Sequence, residues 1–112
     1  MILRIATLQL TRREPDQALT RLDQVIELTP DDAEAYLRRG QAHLALNHPT
    51  HAVADLRIAA HRLPNRSDAF YNLALALKAD HKSSDALAAA RQALALAPND
   101  PLARTLTEQL RR

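Results

Sequence analysis

Several residue types are scarce or missing in this sequence, and each scarcity excludes a kind of site. The 112 residues contain no cysteine, a single glycine (Gly40) and three aromatic residues, Tyr36, Phe70 and Tyr71. Without cysteine there is no disulfide, no iron–sulfur cluster and no thiolate zinc site. One glycine cannot build a glycine-rich phosphate loop, and no G-x-S-x-G motif is present. We therefore expect a protein that performs no catalysis of its own and holds no cofactor.

Long apolar runs and a strong charge imbalance are also missing. No stretch approaches the roughly 20 apolar residues of a membrane-spanning helix. The N-terminal charges lie on the wrong side of their short apolar stretch for a secretory signal. The formal net charge of +2 comes from mixed charges, which is typical of a solvated surface. We expect a cytoplasmic protein without membrane contact, and the abundance of Arg and Ala is typical of bacterial, GC-rich genomes.

The basic pairs do not favour nucleic-acid binding. A single-strand site needs positive charge on one face together with aromatic residues on which bases stack. The arginine pairs fall in a turn, a helix and the C-terminus: Arg12–Arg13, Arg38–Arg39 and Arg111–Arg112. We therefore expect no nucleic-acid partner.

What the chain does contain is a repeat of 34 residues. Proline recurs with that spacing at Pro30, Pro64 and Pro98. The same step links small and apolar residues along the chain: Ala18, Ala52 and Ala86; Leu19, Val53 and Leu87; Ala35, Ala69 and Ala103. A fixed period of this length is typical of a solenoid of stacked repeats.

Each period contains two helical segments. Residues 33–46 and 50–63 carry apolar or small residues three and four positions apart, and no alternation of period two is present, so we predict helices and no strands. Residues that commonly cap helices recur before the second helix (Asp16, Thr50, Ser84) and after the proline (Asp31, Asn65, Asn99). We expect Pro15 and Pro49 to lie outside the helices and Pro101 to occupy a first turn.

This pattern resembles the tetratricopeptide repeat (TPR) family. The family has a large residue at the fourth place of each repeat, a small one at the eighth, Ala at the twentieth and Pro at the thirty-second. Besides the three prolines, those places hold Ile2, Tyr36 and Phe70; Ala6, Gly40 and Ala74; Ala18, Ala52 and Ala86. The resemblance implies an all-α fold: one domain over residues 1–112, built as a right-handed α-solenoid. Its three helix–turn–helix repeats fall at about 1–32, 33–66 and 67–100, with a C-terminal capping helix at about 100–112.

Five positions depart from the family pattern, among them Gln9 and Leu77, which like His43 stand where the family usually has Tyr. Arg39 stands where the family usually has Leu, His43 stands where it has Tyr, and Ala90 replaces the larger residue seen as Leu22 and Leu56. We expect these departures to loosen the middle of the domain without changing its fold.

The resemblance also implies a binding site. In a TPR stack the first helices line a concave groove. The groove-facing places hold Leu3, Thr7, Leu37, Arg38, Gln41, Tyr71, Asn72, Leu75 and Lys78, and Leu102, Thr105 and Gln109 extend them. Exposed Leu and Tyr beside polar and basic residues suit an extended peptide or a partner helix. We therefore expect a protein-interaction module or scaffold. For Leu37 and Leu75 the alternative is packing between repeats.

One subtype of the family is disfavoured by these residues. TPR domains that hold the C-terminal carboxylate of chaperone tails use Lys, Asn and Arg at fixed places. Here those places hold Leu3, Thr7, Arg38, Asp68 and Asn72, and Asp68 would repel a carboxylate. Two other functions stay open: self-association into a homo-oligomer through the truncated first repeat, and service as the accessory arm of a larger enzyme.

The histidines raise a metal hypothesis, which the sequence does not favour. His48 and His51 are expected in a turn, with His43 one helical turn earlier. Pro49 interrupts the helical face between them, and no carboxylate is close in sequence to complete a ligand set. We therefore expect a solvent-exposed turn and no metal, and we expect His61 and His81 to be surface residues.

Overall fold

A computed structural model of the chain describes residues 14–112, and these residues form six α-helices and no strand. They are α1 (Pro15–Leu28), α2 (Ala33–Ala45), α3 (Pro49–Arg62), α4 (Ser67–Ala79), α5 (Ser83–Leu96) and α6 (Pro101–Leu110). Consecutive helices pack against each other, and α2 also contacts α4. The short connections make consecutive helices antiparallel, so α2 and α4 lie side by side in one layer. The predicted all-α solenoid is confirmed.

Small residues at repeated positions form the core. Ala18, Ala52 and Ala86 are fully buried, each 34 residues from the next. Leu22 and Leu56 are also fully buried, and Ala90 occupies the equivalent position in α5. Because alanine projects only one methyl group, helices lined with it can approach closely. A core this poor in aromatic residues therefore depends on close contact between backbones.

Gly40 in α2 marks a close approach between α2 and a side chain of α3. A Cβ atom on Gly40 would lie 2.5 Å from Cγ of Leu56 in α3. No real Cβ atom tolerates that distance, so only glycine fits while Leu56 keeps its position. The cost of glycine within a helix, about 1 kcal/mol relative to alanine, is offset here by the packing of Leu56.

The second helix of each pair begins one residue before its predicted cap, and its actual cap position lies two residues before that predicted cap. The residues before α1, α3 and α5 are Glu14, His48 and Lys82, none of which makes a side-chain capping bond. Asp16, Thr50 and Ser84 lie within the first helical turn, so the prediction that they cap these helices is wrong. Pro15 and Pro49 occupy the first helical position, not the preceding turn. Proline suits that position because its fixed φ is helical and its missing N–H has no intrahelical partner.

The caps of the first helices also lie one residue beyond their predicted places. The backbone N–H of Asp32, Arg66 and Asp100 donates to the carbonyl three residues earlier, at 3.1 Å in each case. Each proline therefore occupies the second place of a four-residue turn, which it favours, and the following Asp31, Asn65 or Asn99 completes that turn. Asp32 and Asp100 cap α2 and α6, whereas Arg66 before α4 makes no side-chain capping bond. Pro101 begins α6 as predicted.

A recurring left-handed residue connects the two helices of a pair. Asn47 and His81, 34 residues apart, have φ angles of 59° and 62°. The next residues, His48 and Lys82, donate backbone hydrogen bonds of 2.8 Å to the carbonyls of His43 and Leu77. This is the Schellman ending of a helix, which satisfies a carbonyl that the helix leaves free. No helix among residues 14–112 has the length and apolarity needed to cross a bilayer.

Candidate groove and histidine cluster

The described members of the predicted groove lie on three helices. α2 carries Leu37, Arg38 and Gln41; α4 carries Tyr71, Asn72, Leu75 and Lys78; α6 carries Leu102, Thr105 and Gln109. Leu3 and Thr7 lie outside the described residues. Of the three on α6, Leu102 is 61% exposed, and Thr105 and Gln109 are also exposed.

Leu37 does not reach the groove surface. Its side chain is fully buried in the main hydrophobic core, in the cluster that contains Leu56, Ala69 and Leu73. The prediction that Leu37 lines the groove is therefore wrong, and its alternative, packing between repeats, is what the structure shows. Tyr71 and Leu75 pack against the same cluster but are only partly buried. They still present apolar surface on α4.

Arg38 is held in place by its own helix. Its guanidinium donates to Glu34 Oε1 at 2.8 Å and to Gln41 Oε1 at 3.1 Å. These partners lie one turn before and one turn after Arg38 on the same helical face. Within residues 14–112 the buried Nε atom has no hydrogen-bond partner. These two contacts fix the position of the Arg38 guanidinium on α2.

Arg66, which sequence reasoning did not include, joins α2 to α4. Its guanidinium donates to both carboxylate oxygens of Asp68, at 2.9 and 2.7 Å, and to Glu34 at 3.0 Å. These hydrogen bonds from Arg66 hold the pKa of the Asp68 carboxyl below its usual value. Two arginines and two carboxylates therefore compensate one another: Arg38, Arg66, Glu34 and Asp68. The repulsion expected from Asp68 is offset by Arg66.

The predicted groove residues of α4 and α6 are linked by one hydrogen bond. Lys78 Nζ donates to Gln109 Oε1 at 3.5 Å, and both side chains are exposed. Asn72 Nδ2 donates to the carbonyl of Asp68 at 2.8 Å, which leaves its side-chain oxygen available as an acceptor. Polar side chains from neighbouring helices thus bridge α2 to α4 and α4 to α6, so their faces form one continuous surface.

A second polar site lies at α1, α2 and α3. Arg39 donates to both oxygens of Asp55, at 2.8 Å each, and to Asp23 at 3.1 Å. Its bonds to Asp55 raise the pKa of Arg39 above its ordinary value, although burial opposes the shift. The expectation that Arg39 loosens the middle of the domain is not met by this geometry, since it ties three helices together. Beside the pair lies a cleft of about 360 Å³ lined by Leu19, Asp23, Arg39, His43, His51, Ala54 and Asp55.

His43 lies in α2, one helical turn before the predicted turn as expected, but it is buried and not exposed to solvent. It is the eleventh residue of α2, in the last turn of that helix, and only 9% of it is exposed. His48 and His51 are exposed, and the three imidazole centroids lie 5.1–6.0 Å apart. A carboxylate is also near in space, since Asp55 Oδ2 lies 3.7 Å from His43 Nε2. Burial lowers the pKa of His43 below its ordinary value, and His51, Arg39 and His48 lower it further against the opposing effect of Asp55.

Comparison with known proteins identifies the family. The sequence model of the tetratricopeptide repeat matches residues 3–66 and, in a second alignment, residues 37–101. Together these matches span most of the chain, and the chain therefore belongs to the tetratricopeptide repeat family, as its sequence pattern predicted.

Solved structures of TPR domains share this fold. The Arabidopsis OM64 TPR domain is 22% identical, with a TM-score of 0.94, over 98% of this chain and 91% of that one. The first TPR of Spaghetti (RPAP3), bound to the HSP90 peptide SRMEEVD, is 17% identical, with a TM-score of 0.93, over 98% and 87% of the two chains. The second TPR domain of human RPAP3, in complex with the HSP70 peptide SGPTIEEVD, is 18% identical, with a TM-score of 0.90, over 97% and 91%. At these identities the likeness establishes the fold alone.

Proposed function

We propose that this chain is a protein-interaction module that binds an extended peptide or a helical segment of another protein in the groove formed by α2, α4 and α6. The observation that carries the proposal is the continuity of that surface. Arg66 joins α2 to α4 through Glu34, and Lys78 joins α4 to α6 through Gln109. Stacked first helices of this kind create the extended surfaces that solenoid proteins use for binding.

The chemistry of the groove favours a polypeptide ligand. Tyr71 and Leu75 supply partly exposed apolar surface for side chains of the ligand. Gln41 and Asn72 supply amides, which can both donate to and accept from a peptide backbone. Lys78, whose contact is with the neutral Gln109, supplies positive charge. Two of the structurally similar TPR domains hold peptides, from HSP90 and HSP70, which supports a peptide ligand for the same fold.

The ligand that we propose is not an acidic chaperone tail. The groove charges of α2 and α4 are already compensated, because Arg38 and Arg66 are paired with Glu34 and Asp68. Binding an isolated carboxylate there would require breaking an existing ion pair. We therefore propose a ligand of low net charge that is recognised by its apolar side chains and its backbone. We propose no catalytic role for the chain.

The test compares two triple variants, one with partly exposed or exposed side chains changed on α2 and α4, the other with exposed side chains changed on α1 and α5. The groove variant combines Gln41→Ala, Asn72→Ala and Lys78→Ala. The control combines Gln24→Ala, Arg91→Ala and Gln92→Ala, three exposed positions on α1 and α5. Peptides are selected against the wild-type chain from a displayed library, and their affinities for the three proteins are then measured by fluorescence anisotropy.

We expect the groove variant to bind the selected peptides at least about tenfold more weakly, the loss of about 1.4 kcal/mol, and the control to bind them like the wild type. Equal affinity for the groove variant and the wild type would overturn the proposal. Binding lost only in the control variant would place the site on α1 and α5 instead. Association of the chain with itself, seen by light scattering, would favour the homo-oligomer instead.

A further inference from the structure

Three histidines meet where α2 turns into α3. His43 lies in the last turn of α2, His48 immediately precedes α3, and His51 lies in the first turn of α3. The left-handed Asn47 reverses the chain between them, and the three ring centroids lie 5.1–6.0 Å apart. No three His, Asp or Glu residues of the described range 14–112 could hold a metal ion. Imidazole also gains or loses a proton between about pH 5 and pH 8, and that is the chemistry these rings offer.

The cleft beside these histidines recurs in the next repeat with a different lining. The first cleft, of about 360 Å³, is lined by α1, α2 and α3, and a second, of about 260 Å³, is lined by α3, α4 and α5. Three polar residues line the first cleft: Arg39, His43 and Asp55. The residues 34 positions later line the second cleft and are apolar: Leu73, Leu77 and Ala89. These three are buried in the main core. The packing of the repeat therefore requires no charge or imidazole at these places, which indicates a separate role for the polar set.

The buried ring of His43 has only long contacts to its polar neighbours. Its Nδ1 lies 3.4 Å from His48 Nδ1, and its Nε2 lies 3.7 Å from Asp55 Oδ2. Both distances are long for a hydrogen bond. Asp55 instead accepts two hydrogen bonds of 2.8 Å from Arg39, which compensates its charge. A proton on His43 would therefore place a second cation, almost out of contact with water, beside a carboxylate that Arg39 already neutralises.

Charged and titratable groups surround His43 from each helix that lines the cleft. They are Asp23 on α1, Arg39 on α2, His48 just before α3, and His51 and Asp55 on α3. Within the described residues α4, which also contacts α2, contributes nothing to this lining. Burial is the main influence and lowers the pKa of His43 against the opposing effect of Asp55, while His51, Arg39 and His48 lower it further. An imidazole whose pKa falls on folding adds stability above its unfolded value, about 6.5, and that contribution is lost as the pH falls through the folded value.

We propose that His43 is an acid-sensitive switch, whose protonation weakens the packing of α1 and α3 against α2 around the first cleft. The equivalent junction of α3 and α5 with α4 has Leu77 in this place and does not respond. The chain therefore opens at the first cleft before the second when the solution becomes mildly acidic. The switch is separate from the proposed peptide groove, because no residue that lines the first cleft is a groove residue.

Urea unfolding of the 112-residue chain at about pH 7.5 and about pH 5.5 tests the switch. Histidines titrate in this range, whereas ordinary carboxyl groups, with pKa values of about 4, stay ionised. His43→Leu introduces the residue that the next repeat has at this place. His43→Gln keeps a polar side chain there that cannot titrate, in case leucine fits poorly. His61→Gln is the matched control, since it removes an exposed histidine from α3 outside the cluster.

We expect the urea midpoint of the wild type and of the control to fall on acidification, and that of both His43 variants to fall at most about half as far. Proton NMR should show the His43 ring titrating below its ordinary value of 6.5. Hydrogen exchange, corrected for the intrinsic rate at each pH, should lose protection in α1 and α2 before α4 and α5. An equal fall of the midpoint in the wild type and both His43 variants would overturn the proposal. So would a His43 ring that titrates at or above the ordinary value, or protection that is lost first in α4 and α5.

Discussion

The guanidinium of Arg39 in α2 donates one hydrogen bond to each carboxylate oxygen of Asp55 in α3, both at 2.8 Å. The Asp55 side chain is only 6% exposed, so its charge has little access to water. A buried carboxylate is tolerated because a paired cation compensates it. The pair therefore explains how a repeat with arginine at a usually apolar place keeps its packing.

Replacing Arg39 with the residue typical of the family should destabilise this chain. Arg39→Leu would leave Asp55 buried without its partner, and we expect it to lower the free energy of unfolding by about 3 kcal/mol. The double variant Arg39→Leu, Asp55→Leu removes both charges and should recover most of that loss. Urea unfolding of the two single variants and the double variant gives the coupling energy. Additive effects in this cycle would contradict the interaction described here.

Gly40→Ala offers a second test. Alanine has the better helix propensity, but we expect the alanine variant to be less stable than the wild type. Gly40→Ala gains about 1 kcal/mol of propensity, but its methyl group would lie 2.5 Å from Cγ of the fully buried Leu56. Overpacking of this kind costs about 1–3 kcal/mol, so we expect a net loss of stability. Thermal unfolding monitored by circular dichroism measures it.

The next repeat shows how the control for Gly40 should be built. There the positions equivalent to Gly40 and Leu56 hold Ala74 and Ala90, both fully buried. Leu56→Ala alone should leave a cavity and destabilise by about 2–5 kcal/mol. Adding Gly40→Ala to that variant should raise its stability, because the space once filled by Leu56 is free. If Gly40→Ala lowered stability equally in both backgrounds, contact with Leu56 would not be the cause.

The sequence predicted the elements of this fold well because the 34-residue period repeats the same chemistry in each unit. It misplaced the caps of α2, α4 and α6 by one residue, because Pro30, Pro64 and Pro98 each build a turn whose last residue directly precedes the helix. It misplaced the starts of α1 and α3 because Pro15 and Pro49 occupy the first helical position. The partnership of Arg39 with Asp55 was beyond sequence reasoning, since the two are 16 residues apart on different helices. Only packing brings them together.

The groove was predicted less accurately than the fold, and Leu37 shows why. Leu37 and Arg38 are adjacent, so their side chains point about 100° apart around the helix. Which of the two faces the groove depends on how α2 is rotated against α4, and a resemblance to the family carries that rotation only approximately. Arg66 was missed because it lies before α4, in a connection that sequence reasoning treated as a cap.

Acid should reveal the pairing of Asp68 with Arg66. Hydrogen bonds from Arg66 hold the pKa of Asp68 below its ordinary value of 3.8. A carboxyl whose pKa is lowered by folding adds stability above its unfolded pKa and loses that contribution as the pH falls through the folded value. The wild type should therefore lose stability below about pH 4 more steeply than Asp68→Asn. Urea unfolding at a series of pH values measures both slopes, with the exposed Asp31→Asn as the control. The same slope in wild type and Asp68→Asn would argue against the pair.

His81 is the position where a single substitution should stabilise the chain. Its φ of 62° is left-handed, a conformation that costs residues with a Cβ about 1–2 kcal/mol and that glycine adopts freely. His81 is exposed, so His81→Gly should lose little packing and raise the free energy of unfolding by about 1 kcal/mol. Asn47, at φ 59° in the preceding repeat, is the matched comparison. Asparagine tolerates this conformation better than histidine, so Asn47→Gly should give a smaller gain in the same urea unfolding measurement. A larger gain at Asn47 than at His81 would show that backbone strain at the turn does not set the difference.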